Sequence, residues 1–556
     1  MSTATAARSA LDILLTDAAV GGGPRRFLPA GAAARTVAGL ARRPRRPARR
    51  AAMLGAELAR VATGRSQLEP VAGDRRFADG AWETNPLLRG LLQAYLATGA
   101  AVDALIADAE LDWRDERQAR FAAGNLLDAL APTNFAWTNP AVLREIVDHG
   151  GTNLARGARQ LVRDVSRSPR LPASVDTTRF AVGENLATSP GSVVLRTDVF
   201  ELIQYRPQTS EVHERPMLIV PPTINRFYVL DLAPGRSLIE HLLGAGQQVF
   251  VISWRNPEAR HGHWDLDTYA EAVLEARAAV ADVARESAIH VTAACSGGII
   301  SAGALAALGS GDVASLTLLV CALDNARAGT ASALTGREVA AAAVAESARK
   351  GYLDGRALGG VFAWLRPNDL IWGYVVNNYL MGRRPPAFDV LYWNQDTVRL
   401  AAGLHRDFVR IALENSLVQP NGVEVLGEPV DLGALTADTY AVAGLNDHLV
   451  PWENAYRSAL LLGGDTRFVL STSGHIQALV NPPSAESRSS YRTTDGLPTQ
   501  PEAWFDGAAI SRGSWWPDWT AWLADRSGAL RPAPAKLGSR RHKAAGKAPG
   551  SYVHAG

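Results

Sequence analysis

Between residues 191 and 470 the chain alternates short apolar runs with longer stretches of helical spacing. The runs Gly191–Thr197, Glu201–Tyr205, Met217–Val220, Gln248–Trp254, Ile289–Ala293, Leu316–Cys321, Thr439–Ala443 and Arg467–Leu470 are rich in Val, Ile, Leu and aromatic residues. Runs of that length and composition predict strands, many of them buried on both faces. With helices between them, they predict a mostly parallel sheet covered on both sides. The alternation breaks off between Asp324 and Leu432, where helical and Trp/Tyr/Asn-rich segments intervene. An insertion there, residues 324–432, is where a cap or lid is expected, dividing the α/β core into residues 186–323 and 433–530.

From Phe77 to Arg167 the spacing is helical throughout, with Leu87-Leu88, Leu91-Leu92 and Tyr95-Leu96 falling on one face. Residues 71–185 are therefore expected to form a helical N-terminal domain. Residues 1–70 are Ala/Arg/Pro/Gly-rich and hold the basic run from Arg42 to Arg50, broken by Pro44 and Pro47. Low hydrophobicity with high charge predicts a solvated, partly disordered arm. Residues 531–556 return to Pro, Ala, Lys and Gly and are expected to be a tail. Trp515, Trp519 and Trp522 lie at i, i+4, i+7 on one helix face, where core packing is favoured over display at a surface.

Composition narrows the class without changing this plan. A chain of 556 residues is too long for one core. Its 47% hydrophobic and 20% charged residues are those of a globular protein. A net charge of +2 predicts no bulk attraction to nucleic acid. Two cysteines give no disulfide framework, and the start MSTATAARSALDILLTDAA lacks the layout of a secretory signal. No charge-free apolar run reaches the roughly 20 residues that span a bilayer. The expectation is a cytoplasmic protein with no transmembrane segment.

The chemistry centres on Cys295 in Ala-Ala-Cys-Ser-Gly-Gly, directly after the β-branched run Ile289-His290-Val291-Thr292 and directly before the uncharged stretch Ile299 to Gly311. A strand that turns sharply into a helix at a nucleophilic residue is a nucleophile elbow. Serine is its usual occupant; a thiol there points to chemistry through thioesters. A free thiol is only slightly ionised at neutral pH and needs a base. Two later loops supply candidates: Gly444-Leu445-Asn446-Asp447-His448 after one strand, and Ser473-Gly474-His475 after the next. Nucleophile, acid, histidine is the chain order of this type of hydrolase sheet. Cys295 is assigned as nucleophile, His475 as base and Asp447 as the acid that orients or assists it, with His448 as a neighbouring partner. Cys321 reads as a buried hydrophobe, and His261 and His263 as surface residues.

These residues stand among segments that resemble polyhydroxyalkanoate synthases, most closely the class II, medium-chain-length type. The segments are DRRFADGAWETNPL, ELIQYRPQT, HERPMLIVPPTINRFYVLDL, VISWRNP, ACSGG, LRPNDLIWGYVVNNYL, LYWNQDT, GLNDHLVPW, SGHIQALVNPP and GSWWPDWTAWL. The similarity runs from about Asp74 to Trp522 and weakly into Pro549-Gly550-Ser551-Tyr552-Val553-His554. The family's modified lipase box is Gly-x-Cys-x-Gly; here Ala293 takes the first glycine place while Gly297 and Gly298 are kept.

The resemblance implies an α/β-hydrolase fold with an inserted cap and an acyltransferase activity. (R)-3-Hydroxyacyl-coenzyme A would be the substrate, and polyester and coenzyme A the products. It implies an acyl-cysteine intermediate, an oxyanion hole from the N–H of Ser296 and one near Ile224, a homodimer, and attachment to the growing polymer chain and its granule surface. No cofactor or metal is expected, coenzyme A being only the leaving group. The competing readings are a cysteine-nucleophile thioesterase or polyester depolymerase on the same fold, and a catalytically silent granule-coat protein.

Overall fold

The computed structural model describes residues 30–167, 170–326, 337–355, 363–364, 366–419, 421–447 and 449–556. The chain divides into two compact units. Among the described residues, one contains those between 177 and 355 and between 389 and 556; the other contains those between 30 and 176 and between 363 and 388. Of the insertion expected at 324–432, the described residues between 363 and 388 thus belong with the N-terminal helices, and the remainder with the sheet.

The sheet unit is built on eleven strands, numbered here in chain order: β1 Gly191–Arg196, β2 Phe200–Tyr205, β3 Met217–Val220, β4 Val249–Trp254, β5 Ile289–Ala294, β6 Val313–Leu319, β7 Thr439–Gly444, β8 Thr466–Ser471, β9 Ser490–Thr493, β10 Ala509–Arg512 and β11 Gly546–Lys547. Their spatial order is β10-β9-β8-β7-β6-β5-β3-β4-β2-β1-β11. The six central strands, β8 to β4 in that order, run parallel. Antiparallel strands finish both edges. Every residue of β3, β4, β5 and β7 is buried, as expected of parallel strands covered on both faces. This is the α/β architecture read from the sequence. The expected strands differ from the observed ones mainly at their ends.

Three strands had no counterpart among those expectations. β9, β10 and β11 are short and half-buried or exposed, so no apolar run announces them. β11 lies in the expected tail and pairs with β1. The tail is therefore part of the sheet unit.

On one side of the sheet, Trp515, Trp516 and Trp519 are buried in the main core together with Ile219, Val251 and Val442. Trp522 packs at its margin, and Trp519 Nε1 donates to Thr317 Oγ1 at 3.0 Å. The tryptophan stripe is core, and the indole N–H groups of Trp515 and Trp519 find acceptors there. His261 departs from expectation. It is buried, accepts the Glu258 N–H on Nδ1 at 2.9 Å and stacks on Trp264 with centroids 4.1 Å apart, while His263 stays exposed.

In the helical unit, the helix Pro86–Asp108 begins at Asn85, whose Oδ1 accepts the N–H groups of Leu87 and Leu88. By length and composition it is long and apolar enough to cross a membrane. Here it buries Leu92 with Phe77 and Trp82 in a small core. The stretch expected to be a disordered arm is helical within its described part, over Ala30–Ala41 and Arg45–Ala62. The prolines sit at the break between the two helices and in the first turn of the second, where a missing N–H costs nothing. Three of the six arginines between Arg42 and Arg50 have acidic partners, Arg43 on Glu110 among them. Arg50 binds Asp108 at 2.7 and 3.1 Å, and Arg46 binds Glu110 at 2.6 Å. Residues 1–29 of the arm lie outside the described residues.

Candidate active site

The strand β5 ends at Ala294, and Cys295 follows with φ 49° and ψ −119° at the N-terminus of the helix Ser296–Leu308. A non-glycine residue in that region carries strain and persists only where its surroundings hold it. Two backbone bonds do so: Cys295 N–H to Leu319 O at 2.9 Å and Gly298 N–H to Cys295 O at 2.9 Å. Gly297 makes the turn sterically feasible. A Cβ there would lie 2.5 Å from Val220 O and 2.6 Å from Pro221 O. Ala293, in the place of the box's first glycine, is a buried strand residue opposite Val220 and Leu318, so its methyl group is absorbed into the sheet.

His475 and Asp447 come from neighbouring parallel strands. Past their C-terminal ends, the loops after β7 and β8 are laced together. Leu445 N–H donates to Ser471 O at 2.7 Å, Asn446 N–H to Ser473 O at 3.1 Å and the Asn446 amide to Thr472 O at 2.7 Å. Gly444 lets them approach, since a Cβ there would lie 2.7 Å from Ser473 O. The lacing delivers Asp447 to His475, with Nδ1–H donating to Oδ2 at 2.6 Å. The other carboxylate oxygen accepts the N–H groups of Leu449 and Val450 at 2.8 and 3.0 Å, which fixes the acid. Behind the histidine, Trp515 Nε1 holds Ala478 O at 2.8 Å in the short helix His475–Leu479.

Cys295, Asp447 and His475 are all buried, at 7%, 2% and 4% exposure. Burial pulls the imidazole pKa down. The Asp447 charge and its hydrogen bond, together with the hydrogen bond to the Cys295 side chain, more than reverse this and push it up to about 10. The dyad therefore favours a protonated imidazole beside the sulfur, which sits at the N-terminus of the helix Ser296–Leu308. Cys321 is the opposite case: burial, then the neighbouring Cys295, pushes its thiol well up, so it stays an unreactive core thiol.

Ser296 ties the elbow to the loop Pro221-Pro222-Thr223-Ile224-Asn225, its Oγ accepting the Thr223 N–H at 2.9 Å with Thr223 Oγ1 at 3.1 Å. Trp254 Nε1 donates to Pro221 O at 3.0 Å from the other side. Ile224 is half-buried in this loop. His448 lies outside the described residues. The sequence reading missed Arg226, Trp393 and Asp396. Trp393 Nε1 donates to Arg226 O at 2.8 Å, and the Asp396 carboxylate meets the Arg226 guanidinium at 3.4 Å and Tyr228 Oη at 2.8 Å. The segments INRFYVL and LYWNQDT carried these residues in plain view, but nothing in their spacing says that they touch.

Comparison with known proteins gives two family matches. Residues 73–242 match the family described as Poly-beta-hydroxybutyrate polymerase (PhaC) N-terminus, and residues 219–482 match the alpha/beta hydrolase fold. Poly(3-hydroxyalkanoate) polymerase 1 of Ectopseudomonas oleovorans is 44% identical over 94% of this chain and 94% of its own length. Poly(3-hydroxyalkanoate) polymerase 2 of the same organism is 44% identical over 90% of each chain. The Poly(3-hydroxyalkanoate) polymerase subunit PhaC of Cupriavidus necator is 41% identical over 89% of this chain and 85% of its own.

Proposed function

The chain belongs to the poly(3-hydroxyalkanoate) polymerase family and is an acyltransferase, and from this we propose that it polymerises (R)-3-hydroxyacyl groups from coenzyme A through a covalent thioester on Cys295. The observation that carries the mechanism is the buried row Asp447, His475 and Cys295 at the C-terminal ends of β7, β8 and β5, with His475 Nδ1 on Asp447 Oδ2 at 2.6 Å.

The Cys295 sulfur, its proton held by His475, attacks the acyl thioester. The carbonyl carbon–sulfur bond to coenzyme A breaks, and the proton goes to the departing thiolate. Exchange of one thioester for another is close to balanced, which favours sulfur over oxygen as nucleophile. The hydroxyl of a second acyl group or of the chain end then attacks the acyl-cysteine. His475, oriented by Asp447, takes the hydroxyl proton as general base and returns it to the sulfur. The product is an oxoester one unit longer, and this step runs downhill.

The oxyanion formed in each step would be met by the Ser296 N–H, free of an intrahelical acceptor at the start of its helix. Because Thr223 donates to Ser296, a second donor has to come from elsewhere in its loop, and Ile224 is the residue proposed. No cofactor takes part in this scheme.

Water competes with the hydroxyl for the acyl-enzyme, and the segment 324–432 is proposed to exclude it. In support, Trp393 and Asp396 of that segment bind the loop residue Arg226, and Thr397 bridges Asn225. A cytoplasmic location at the surface of the polyester granule follows from a product that stays bound while it grows. A homodimer is proposed as the working form.

Supplying 3-hydroxyacyl-coenzyme A while following free thiol and insoluble polymer tests the reading. Both should appear together, and Cys295→Ala should abolish both. Thiol without polymer would mean a hydrolase; neither would mean a coat protein. Acid-quenched in mid-turnover and digested, the peptide containing Cys295 should carry hydroxyacyl mass; an unmodified peptide would overturn the covalent mechanism.

A further inference from the structure

The last six residues of the chain dock onto two buried charges of opposite sign. Glu201, fully buried in β2, accepts the Ser551 N–H at 2.8 Å, the Ser551 hydroxyl at 2.7 Å and the Tyr552 N–H at 2.9 Å. Burial alone would raise its pKa, but these donors outweigh it and hold the carboxylate below its ordinary value. Arg226, with a side chain 5% exposed, takes the complementary groups. It donates to Tyr552 O at 3.0 Å and Ala555 O at 2.5 Å. Between them, Val553 is buried in the main core, and Tyr552 Oη donates to Thr197 O at 2.6 Å.

A carboxylate that accepts backbone N–H groups and a guanidinium that donates to backbone carbonyls hold this stretch of main chain, while the Ser551 hydroxyl, Tyr552 Oη and buried Val553 fix its register. Without the segment, Arg226 would keep Asp396 at 3.4 Å as its charged partner. A buried cation stripped of its acceptors moves or draws in water. Arg226 also directly follows the loop Pro221–Asn225, which is tied through Thr223 to Ser296 beside the nucleophile. A continuous path thus runs from the end of the chain through Arg226 and the loop to the elbow.

We propose that the segment Ser551–Gly556, acting through Arg226, is a positioning element that holds the loop Pro221–Asn225 in register with the thiol for the acyl-transfer step. The proposal rests on the acyl-cysteine reading above and adds that the site is incomplete without this segment. Misplacing a catalytic donor by about an ångström costs on the order of a hundredfold in rate.

The test compares the full chain with a chain ending at Gly550, with Arg226→Met, and with both changes combined. The shortened chain and Arg226→Met should each lose about ten- to a hundredfold in kcat, with KM within about twofold. The combination should be little worse than either alone, because the two act as one unit. Alkylation of Cys295 by iodoacetamide should keep its rate, since the Asp447–His475 dyad is untouched, and Arg226→Lys should recover part of the loss. Turnover of the shortened chain within twofold of the full one would overturn the proposal. So would a fall in alkylation rate and melting temperature in step with kcat, which marks a general loss of structure. Should the shortened chain aggregate, the same readouts on full-length Arg226→Met decide. Failure of the covalent reading registers separately, as absence of acyl mass on Cys295 in the unaltered chain.

Discussion

The Asp447 carboxylate does two jobs with two oxygens. One oxygen pairs with His475; the other pins the backbone at Leu449 and Val450. Asp447→Asn keeps the shape but removes the charge that raises the imidazole pKa. Turnover, read as coenzyme A release, should fall on the order of 10³–10⁴-fold, by analogy with the loss of the orienting acid in other triads. The same pair links stability to pH. Its folded pKa lies above the unfolded value of 6.5, so its stabilisation is fully present below that value. It is lost as pH rises from about 6.5 through about 10. The melting temperature of the unaltered chain should decline across that window, and Asp447→Asn should flatten the decline. All three residues of the row were legible, because an elbow and two loops at strand ends appear in chain order with distinctive residue types. Arg226 was not: an arginine in a loop reads as solvated, and only packing shows that this one is buried.

The elbow succeeds as an element because backbone meets backbone at Gly297. Gly297→Ala would drive a methyl group against two carbonyl oxygens that cannot swing aside. Turnover should drop more than about tenfold, and the loss should appear in the alkylation rate of Cys295 as well, since the thiol itself is displaced. Ala293→Gly makes the opposite point. The position is an ordinary buried strand site, so restoring the family's glycine should leave turnover within about twofold. Thermal unfolding should show it costing about 0.5–1 kcal/mol, the price of glycine in a regular element. The central strands were legible for the same local reason, since short, mostly buried runs rich in Val, Ile, Leu and aromatic residues announce themselves. β9, β10 and β11 were not, because short edge strands owe their form to a neighbour. The two helices of the arginine-rich stretch were hidden by their composition, half of the six arginines between Arg42 and Arg50 being paired with Asp108 and Glu110.

At the scale of the molecule, the segment Ser551–Ala555 ties back onto the sheet unit: Ser551 reaches a carboxylate 350 residues earlier in the chain. Chain-length preference also belongs to this scale, since it depends on the walls of the acyl site rather than on the triad. Side-by-side turnover of C4 and C8–C10 substrates should favour the longer acyl groups; equal or inverted rates would refute the medium-chain reading. The sequence by itself determined the run of core strands, the elbow at Cys295 and the two strand-end loops that carry Asp447 and His475, because each is written within a dozen residues by periodicity and residue type. Only the tertiary structure decided which buried charges meet: Glu201 with Ser551 and Tyr552, Arg226 with Asp396 and the chain end. The ion pair of Glu201 with Arg196 across the β1–β2 hairpin is local, but the bonds of Glu201 to Ser551 and Tyr552 and those of Arg226 leave no local trace, since a buried charge is satisfied by whatever partners the fold brings to it.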